Sequence, residues 1–278
     1  MLKTLFFGTS AFAVPGLDVV ADRSELAGVV TQPDRPAGRG QRLQQSAVKR
    51  AALERGLRVY EPKRLRDFAS ELQSVPFDAF VVASYGKILP KELLALPQLG
   101  ALNVHPSLLP RYRGATPIQA ALLAGDRETG VTIMLMDEGL DTGDIVLEER
   151  LAIGEDEDFA SLHDRLAQLG ATLLGEALAR GESAGAFSST PQEGEASITR
   201  PIAKADLEID WSWPAARIVR HVRAYAPAPA ARAMLGGVRV KILEAHVAPD
   251  GSVEIDALVA PNHGRESGAA FARRVQAT

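Results

Sequence analysis

A doubly wound α/β fold, with a mostly parallel sheet and a smaller β-rich domain after it, is predicted by three observations on this 278-residue chain. Short apolar runs alternate with segments of helical period through the first two thirds of the sequence, which is the pattern of βαβ units. Polar, glycine-bearing segments follow the apolar runs, where an open sheet places its ligand-binding loops. Beyond about residue 205 the pattern changes to short strands.

Taken in order, residues 2–7 read as a buried strand, and Gly8-Thr9-Ser10 as a turn with Ser10 as helix cap before a helix over 11–21. A strand over 26–31 leads into a loop over 32–43. A helix over 46–55 then carries its apolar face on Val48, Ala51, Ala52 and Leu53. Strand-like 59–60, helical 68–73 and a strand over 77–82 continue the alternation. Two more strands are expected at 100–104 and 131–136, and another at 145–151. Phe159, Leu162, Leu166, Leu169, Leu173, Leu174 and Leu178 recur at helical spacing, and Gly181 and Gly185 close that helix. Residues 182–205 are rich in Ser, Gly, Pro and Thr and read as a linker. After it come a helix over 214–224 and strands over 238–245, 253–259 and 270–275. The expected division is therefore a catalytic domain over 1–181, the linker, and a β-rich domain over 206–278.

Bulk properties narrow the function. An apolar fraction of 46% supports packed cores and excludes global disorder. The formal net charge of −4 leaves nucleic-acid contact to a local patch. With no cysteine, disulfide frameworks, thiolate metal sites and cysteine nucleophiles are excluded together. The apolar start meets Gly8, Thr9, Ser10 and Asp18 too early for a signal peptide, and no run reaches membrane-spanning length. A cytoplasmic monomer with no membrane contact is expected. The Gly8 turn is not a GxGxxG, so a dinucleotide site has little support.

The chemistry gathers between residues 103 and 144, NVHPSLLPRYRGATPIQAALLAGDRETGVTIMLMDEGLDTGD. Asn103 and His105 lie two apart at the end of a strand, so amide and imidazole share a face. Asp137, Asp141 and Asp144 follow a later strand in a glycine-bearing turn. The amide and the imidazole can donate to an oxygen that gains negative charge, and a carboxylate beside an imidazole can move protons. Asp137 and Asp144 read as turn formers. The three aspartates lack the regular spacing of a cation loop, so no metal is expected.

This segment resembles the formyltransferase family that uses 10-formyltetrahydrofolate, through N-x-H, S-L-L-P-x-Y-R-G, G-x-T and D-x-G-D. The resemblance implies a Rossmann-like catalytic domain, formyl transfer to an amine, and Asn103, His105 and Asp141 as the catalytic residues. It further implies that Ser107, Leu108, Leu109 and Pro110 contact the folate, together with Tyr85 and Gly86 of the S-Y-G-K-I-L-P stretch. The family's second domain is an OB-like barrel. The roughly 70 residues after Ala205 are short for it, so a shortened barrel is expected.

Family members differ in the amine they formylate. TQPDRPAGRGQRLQQSAVKR, from Thr31 onward, carries Arg35, Arg39, Arg42, Lys49 and Arg50 against Asp34 alone. It resembles the basic loop with which the branch acting on methionyl initiator tRNA contacts the acceptor arm, and Arg35, Arg39 and Arg42 are the implied tRNA contacts. T-P-I-Q at 116–119 and I-D-W-S-W-P-A at 209–215 fit that branch as well. Pro106 after His105 is the choice of the purine-pathway branch, which lacks the basic loop. An amino-sugar nucleotide or another small amine remains the alternative acceptor, and a weakly active folate- or tRNA-binding relative the alternative role.

Overall fold

The structure is a computed structural model, described over residues 1–37 and 42–276. The chain divides into two compact units. The first takes Met1–Arg113, Gly130–Leu151 and Asp164–Ser197, and the second Gly114–Thr129, Ala152–His163 and Ile198–Thr278. Residues 182–197, expected as linker, belong to the first unit.

In chain order the elements are β1 (Lys3–Gly8), α1 (Val14–Arg23), β2 (Glu25–Val30), β3 (Arg35–Ala37), β4 (Arg42–Gln44), α2 (Ala47–Glu54), β5 (Val59–Tyr60), α3 (Leu65–Leu72), β6 (Ala79–Ala83) and α4 (Lys91–Leu94). Then come β7 (Ala101–His105), β8 (Arg113–Gly114), α5 (Pro117–Ala124), β9 (Glu128–Leu135), β10 (Ile145–Ala152), α6 (Phe159–Ala184) and β11 (Ile198–Thr199). The chain ends with α7 (Ala215–Tyr225), β12 (Ala231–Leu235), β13 (Val238–Val247), β14 (Val253–Val259), β15 (Arg265–Glu266) and α8 (Gly268–Gln276).

The main sheet has seven strands in the order β10-β9-β7-β6-β1-β2-β5. β1 pairs parallel with β2 and β6, β2 with β5, and β6 with β7, while β9 runs antiparallel to β7. Leu5, Phe6, Phe7, Phe80 and Val81 are fully buried, as expected of central strands covered on both faces. One core joins Leu5, Phe7 and Phe80 to Leu65, Phe68 and Leu72 of α3 and to Leu93 of α4. α6 buries Leu162, Leu166, Leu173, Leu174 and Leu178. It approaches the sheet at Gly170, where a Cβ would stand 2.7 Å from Val104 Cγ1. That packing presses on β7, the strand carrying Asn103 and His105.

Three local expectations need correction. Ser10 makes no cap bond; its hydroxyl donates to Ser84 Oγ at 2.7 Å, and a 3₁₀ turn precedes the helix that starts at Val14. The loop after β2 is partly a hairpin, with Arg35 opposite Gln44 and Ala37 opposite Arg42. Residues 270–275, expected as a strand, lie within α8. Phe271 and Val275 are one helical turn apart and pack on the same core, and Ser267 Oγ accepts from the Ala270 amide at 3.2 Å at the helix start.

The second unit holds an antiparallel sheet in the order β12-β13-β14-β15. Its core joins Val240, Ile242 and Leu258 of the sheet to Ile218 and Val222 of α7 and Phe271 of α8. The β12 edge is covered by the chain before α7, where the Ile209 amide donates to the Arg232 carbonyl at 2.8 Å. α5 packs on α7, and Arg220 Nε donates to the Leu123 carbonyl at 3.3 Å.

Candidate active site

β7 is flanked by β6 and β9, with Asn103 opposite Val82 on one side and Met134 on the other, and His105 opposite Thr132. Asn103 is half-buried and His105 buried, at 4% exposure. Beyond β7 the chain turns sharply. Ser107 Oγ donates to the Arg111 carbonyl at 2.6 Å, and Thr132 Oγ1 donates to the Ser107 carbonyl at 2.7 Å. Tyr112, held at φ +58°, presents its carbonyl 3.0 Å from His105 Nε2.

The second contributor is the turn after β9. Asp137 accepts from the Gly139 amide at 2.9 Å and from Thr142 Oγ1 at 2.7 Å, which folds the turn on itself. Gly143 lies so close to β9 that a Cβ would come within 1.7 Å of the Leu135 carbonyl oxygen. Asp141 stands between them at φ +52°, a left-handed conformation that aspartate tolerates better than most residues. Its Oδ2 lies 3.6 Å from His105 Nδ1, and Asn103 Nδ2 donates to its Oδ1 at 3.5 Å. Both distances are long for direct hydrogen bonds.

The proton positions follow from the partners. A carbonyl only accepts, so His105 Nε2 carries a hydrogen and Nδ1 is the nitrogen left to face Asp141. Burial pushes the imidazole below its usual range, while the Asp141 carboxylate and the Tyr112 carbonyl pull it back up. Both ring nitrogens thus face protein groups, while the Asn103 amide, engaged with Asp141 through one hydrogen, has a second to offer.

The remaining candidates sit differently. Ser107, Leu109 and Pro110 are buried, and Leu108 is half-buried. The Tyr85 ring lies in the core edge-on to Phe7, with 2% of the residue exposed, and its hydroxyl has no hydrogen-bond partner among the described residues. Burial pushes that phenol up to about 12. The Tyr85 carbonyl accepts from Thr9 Oγ1 at 2.9 Å and Gln32 Nε2 at 2.7 Å, and Gly86 follows at φ +76°. These residues leave the carboxyl end of β6, beside that of β7. Arg35 donates to Gln32 Oε1 and so braces the same turn. Lys49 bridges Asp34 and Glu61, each at 2.8 Å. Arg39 lies outside the described residues, as does the side chain of Arg42.

Gln192 was not singled out in the sequence, because a glutamine among Ser, Gly and Pro carries no periodic signal. Its Nε2 donates to the carbonyls of Asp141 and Gly143, each at 2.8 Å, and its Oε1 accepts from Arg113 Nε at 3.1 Å and Nη2 at 2.7 Å. Tyr112 and Thr132 stand in the quoted S-L-L-P-x-Y-R-G and G-x-T motifs, but the bonds they make to His105 and to the Ser107 carbonyl cannot be read from residue type. Among the described residues no group of three His, Asp or Glu side chains could hold a metal ion, and no helix is long and apolar enough to cross a membrane.

A family model described as formyl transferase matches residues 2–178, and the model of the family's C-terminal domain matches residues 201–264. The chain belongs to the formyltransferase family. A methionyl-tRNA formyltransferase from Chromobacterium violaceum is 47% identical to this formyltransferase over 262 residues, which is 93% of this chain and 84% of the relative. Among solved structures, an N-formyltransferase from Helicobacter canadensis, in complex with folinic acid and dTDP-3-aminofucose, is similar with a TM-score of 0.70. It is 19% identical and the match covers 89% of this chain and 88% of that one. The methionyl-tRNA formyltransferase from Clostridium thermocellum is similar with a TM-score of 0.63 at 15% identity, over 95% of this formyltransferase and 100% of that chain. At such identities the likeness speaks for the fold and does not choose an acceptor.

Proposed function

We propose that this formyltransferase moves the formyl group of 10-formyltetrahydrofolate to the amino group of methionyl initiator tRNA, with Asn103, His105 and Asp141 as its catalytic residues. The observation that carries the reading is the Asp141 carboxylate set between the Asn103 amide and the His105 imidazole. The 47% identity to a methionyl-tRNA formyltransferase supports the acceptor.

In the proposed step the amine nitrogen attacks the formyl carbon and the carbonyl electron pair moves to oxygen. Asn103 donates to that oxygen. The amine's surplus proton passes by way of the Asp141 carboxylate to His105 Nδ1, which faces it. The bond to the folate nitrogen then breaks as the carbonyl re-forms, and the proton is delivered to that nitrogen. Residues 107–110, Tyr85 and Gly86 hold the folate. Tyr85 contributes through its backbone, since its ring is committed to the core. Arg35, Arg39 and Arg42 contact tRNA phosphates. We further propose a cytoplasmic monomer, with the catalytic part over 1–181 and the tRNA-holding part over 206–278.

The test offers 10-formyltetrahydrofolate with charged initiator tRNA, uncharged tRNA, an amino-sugar nucleotide and small amines. Formylation of the charged tRNA alone is expected. In that assay Asn103→Ala, His105→Ala and Asp141→Ala should each lower kcat by about 100-fold or more, with KM for the folate little changed. Preferred formylation of a small amine would overturn the acceptor, and near-wild-type turnover by His105→Ala or Asp141→Ala would overturn the mechanism.

A further inference from the structure

We infer that Gln192 is a positioning residue that sets the spacing between His105 and Asp141, and that the segment around it is part of the site rather than a passive connection. The inference rests on the catalytic role proposed for that pair. Residue 192 falls between the two family matches, which end at 178 and resume at 201.

A glutamine amide offers two N–H donors and an oxygen with two lone pairs. Gln192 uses them all. Both hydrogens go to carbonyls of the Asp141 turn, including the carbonyl of Asp141 itself, and both lone pairs accept from Arg113. The partners leave no choice of orientation, because carbonyls cannot donate and a guanidinium cannot accept.

What these bonds join is specific. Arg113 is covalently next to Tyr112, whose carbonyl holds His105 Nε2. Asp141 stands opposite His105 Nδ1. The path from Tyr112 through Arg113 and Gln192 to Asp141 therefore closes a ring around the imidazole and fixes the backbone on both of its sides. The segment carrying Gln192 is itself held at two ends. Thr190 and Ile145 exchange backbone hydrogen bonds of 2.8 and 2.9 Å. Ser197 accepts from the Arg113 amide at 2.9 Å through its carbonyl and from the Tyr112 amide at 2.8 Å through its hydroxyl. A side chain so anchored transmits its own position to the pair. A shift of about 1 Å at reacting groups is enough to cost roughly 100-fold in rate.

The experiment compares wild type with Gln192→Ala and Gln192→Met, the second keeping bulk without the amide. The imidazole of His105, one of five histidines, is titrated by NMR with no acceptor present. Asp141 is the charged group that acts on that imidazole and holds its pKa up. If Gln192 sets their spacing, both variants should titrate lower by about half a unit or more. Turnover on charged tRNA should fall by about tenfold to 100-fold, KM for both substrates should stay within about threefold, and the acid limb of the kcat–pH profile should move to lower pH. Variants that lose thermal stability yet keep the wild-type titration and kcat profile would reduce Gln192 to a stabilising contact and overturn the inference. If Gln192→Ala does not fold, Gln192→Met decides it. A wild type inactive on charged tRNA would sink the proposed function, while the His105 titration would still decide the role of Gln192.

Discussion

Tyr85 carries a hydroxyl into a core that gives it no partner among the described residues, and the consequence is a stability that depends on alkaline pH. Burial raises its pKa from the ordinary 10 to about 12. The unfolded chain ionises this phenol from pH 10 upward, while the folded chain resists until about 12. The contribution is therefore complete below pH 10 and is lost as pH rises from 10 to 12, by about 2–3 kcal/mol for a shift of this size. Tyr85→Phe removes both the ionisable group and the orphan hydroxyl. Urea unfolding should find the variant as stable as wild type at pH 7 or up to about 1 kcal/mol better. Between pH 10 and 12 the variant should lose less stability than wild type. Parallel curves for the two proteins would refute the assignment, and a loss of folate affinity in the variant would refute the backbone-only role proposed for Tyr85. At this scale the residues proposed as catalytic were the legible ones. Asn103 and His105 stand out because polar groups end a strand where folding alone would not put them, and Asp141 through the D-x-G-D turn it belongs to. Gln192 does not, because two of its partners are carbonyls about 50 positions away, which leave no mark in a sequence, and the third, Arg113, is 79 positions away.

Elements were legible where burial is continuous and obscure where hydrogen bonds replace it. β1 and β6 announce themselves as apolar runs, and α6 through its leucines, because each buries side chains at its own period. The segment containing Thr190 and Ser197 reads as linker by composition, yet its backbone is paired to β10 and to the chain after β7. Composition reports what a segment can bury, and this one is fixed by polar bonds instead. Because Arg35 and Lys49 also hold protein partners whose loss would confound the reading, the phosphate-binding role proposed for the basic loop after β2 is tested at Arg39 and Arg42. Replacing both by alanine should raise KM for charged tRNA and leave KM for the formyl donor nearly unchanged. The log–log salt slope of tRNA binding should flatten by about one unit per lost phosphate contact. Unchanged kinetics and salt response would make the loop an ordinary solvated surface and would move the small-amine acceptor ahead.

At the scale of the molecule there are two cores, and both were legible in the sequence except for the last element of the second. The α/β alternation of the first unit predicts its sheet from period alone. The second unit is small, and its last element was misread because Phe271 and Val275 among alanines satisfy a short apolar run as well as a helical turn. Tertiary packing decides between them, since as a helix both side chains reach the core of β13 and β14. Phe271→Ala tests that packing cleanly, because alanine is the better helix former and any loss must come from the core. The side chain is 4% exposed, so truncation should cost about 3–5 kcal/mol in the second unit. Because the core around Phe271 contains no residue of β1, β6 or β7, the loss should be local. Hydrogen exchange should show faster amides across β12, β13, β14, α7 and α8, with protection in the main sheet retained. Equal loss of protection in the main sheet would mean that the units unfold as one. Unchanged exchange in the second unit would mean that Phe271 does not anchor α8.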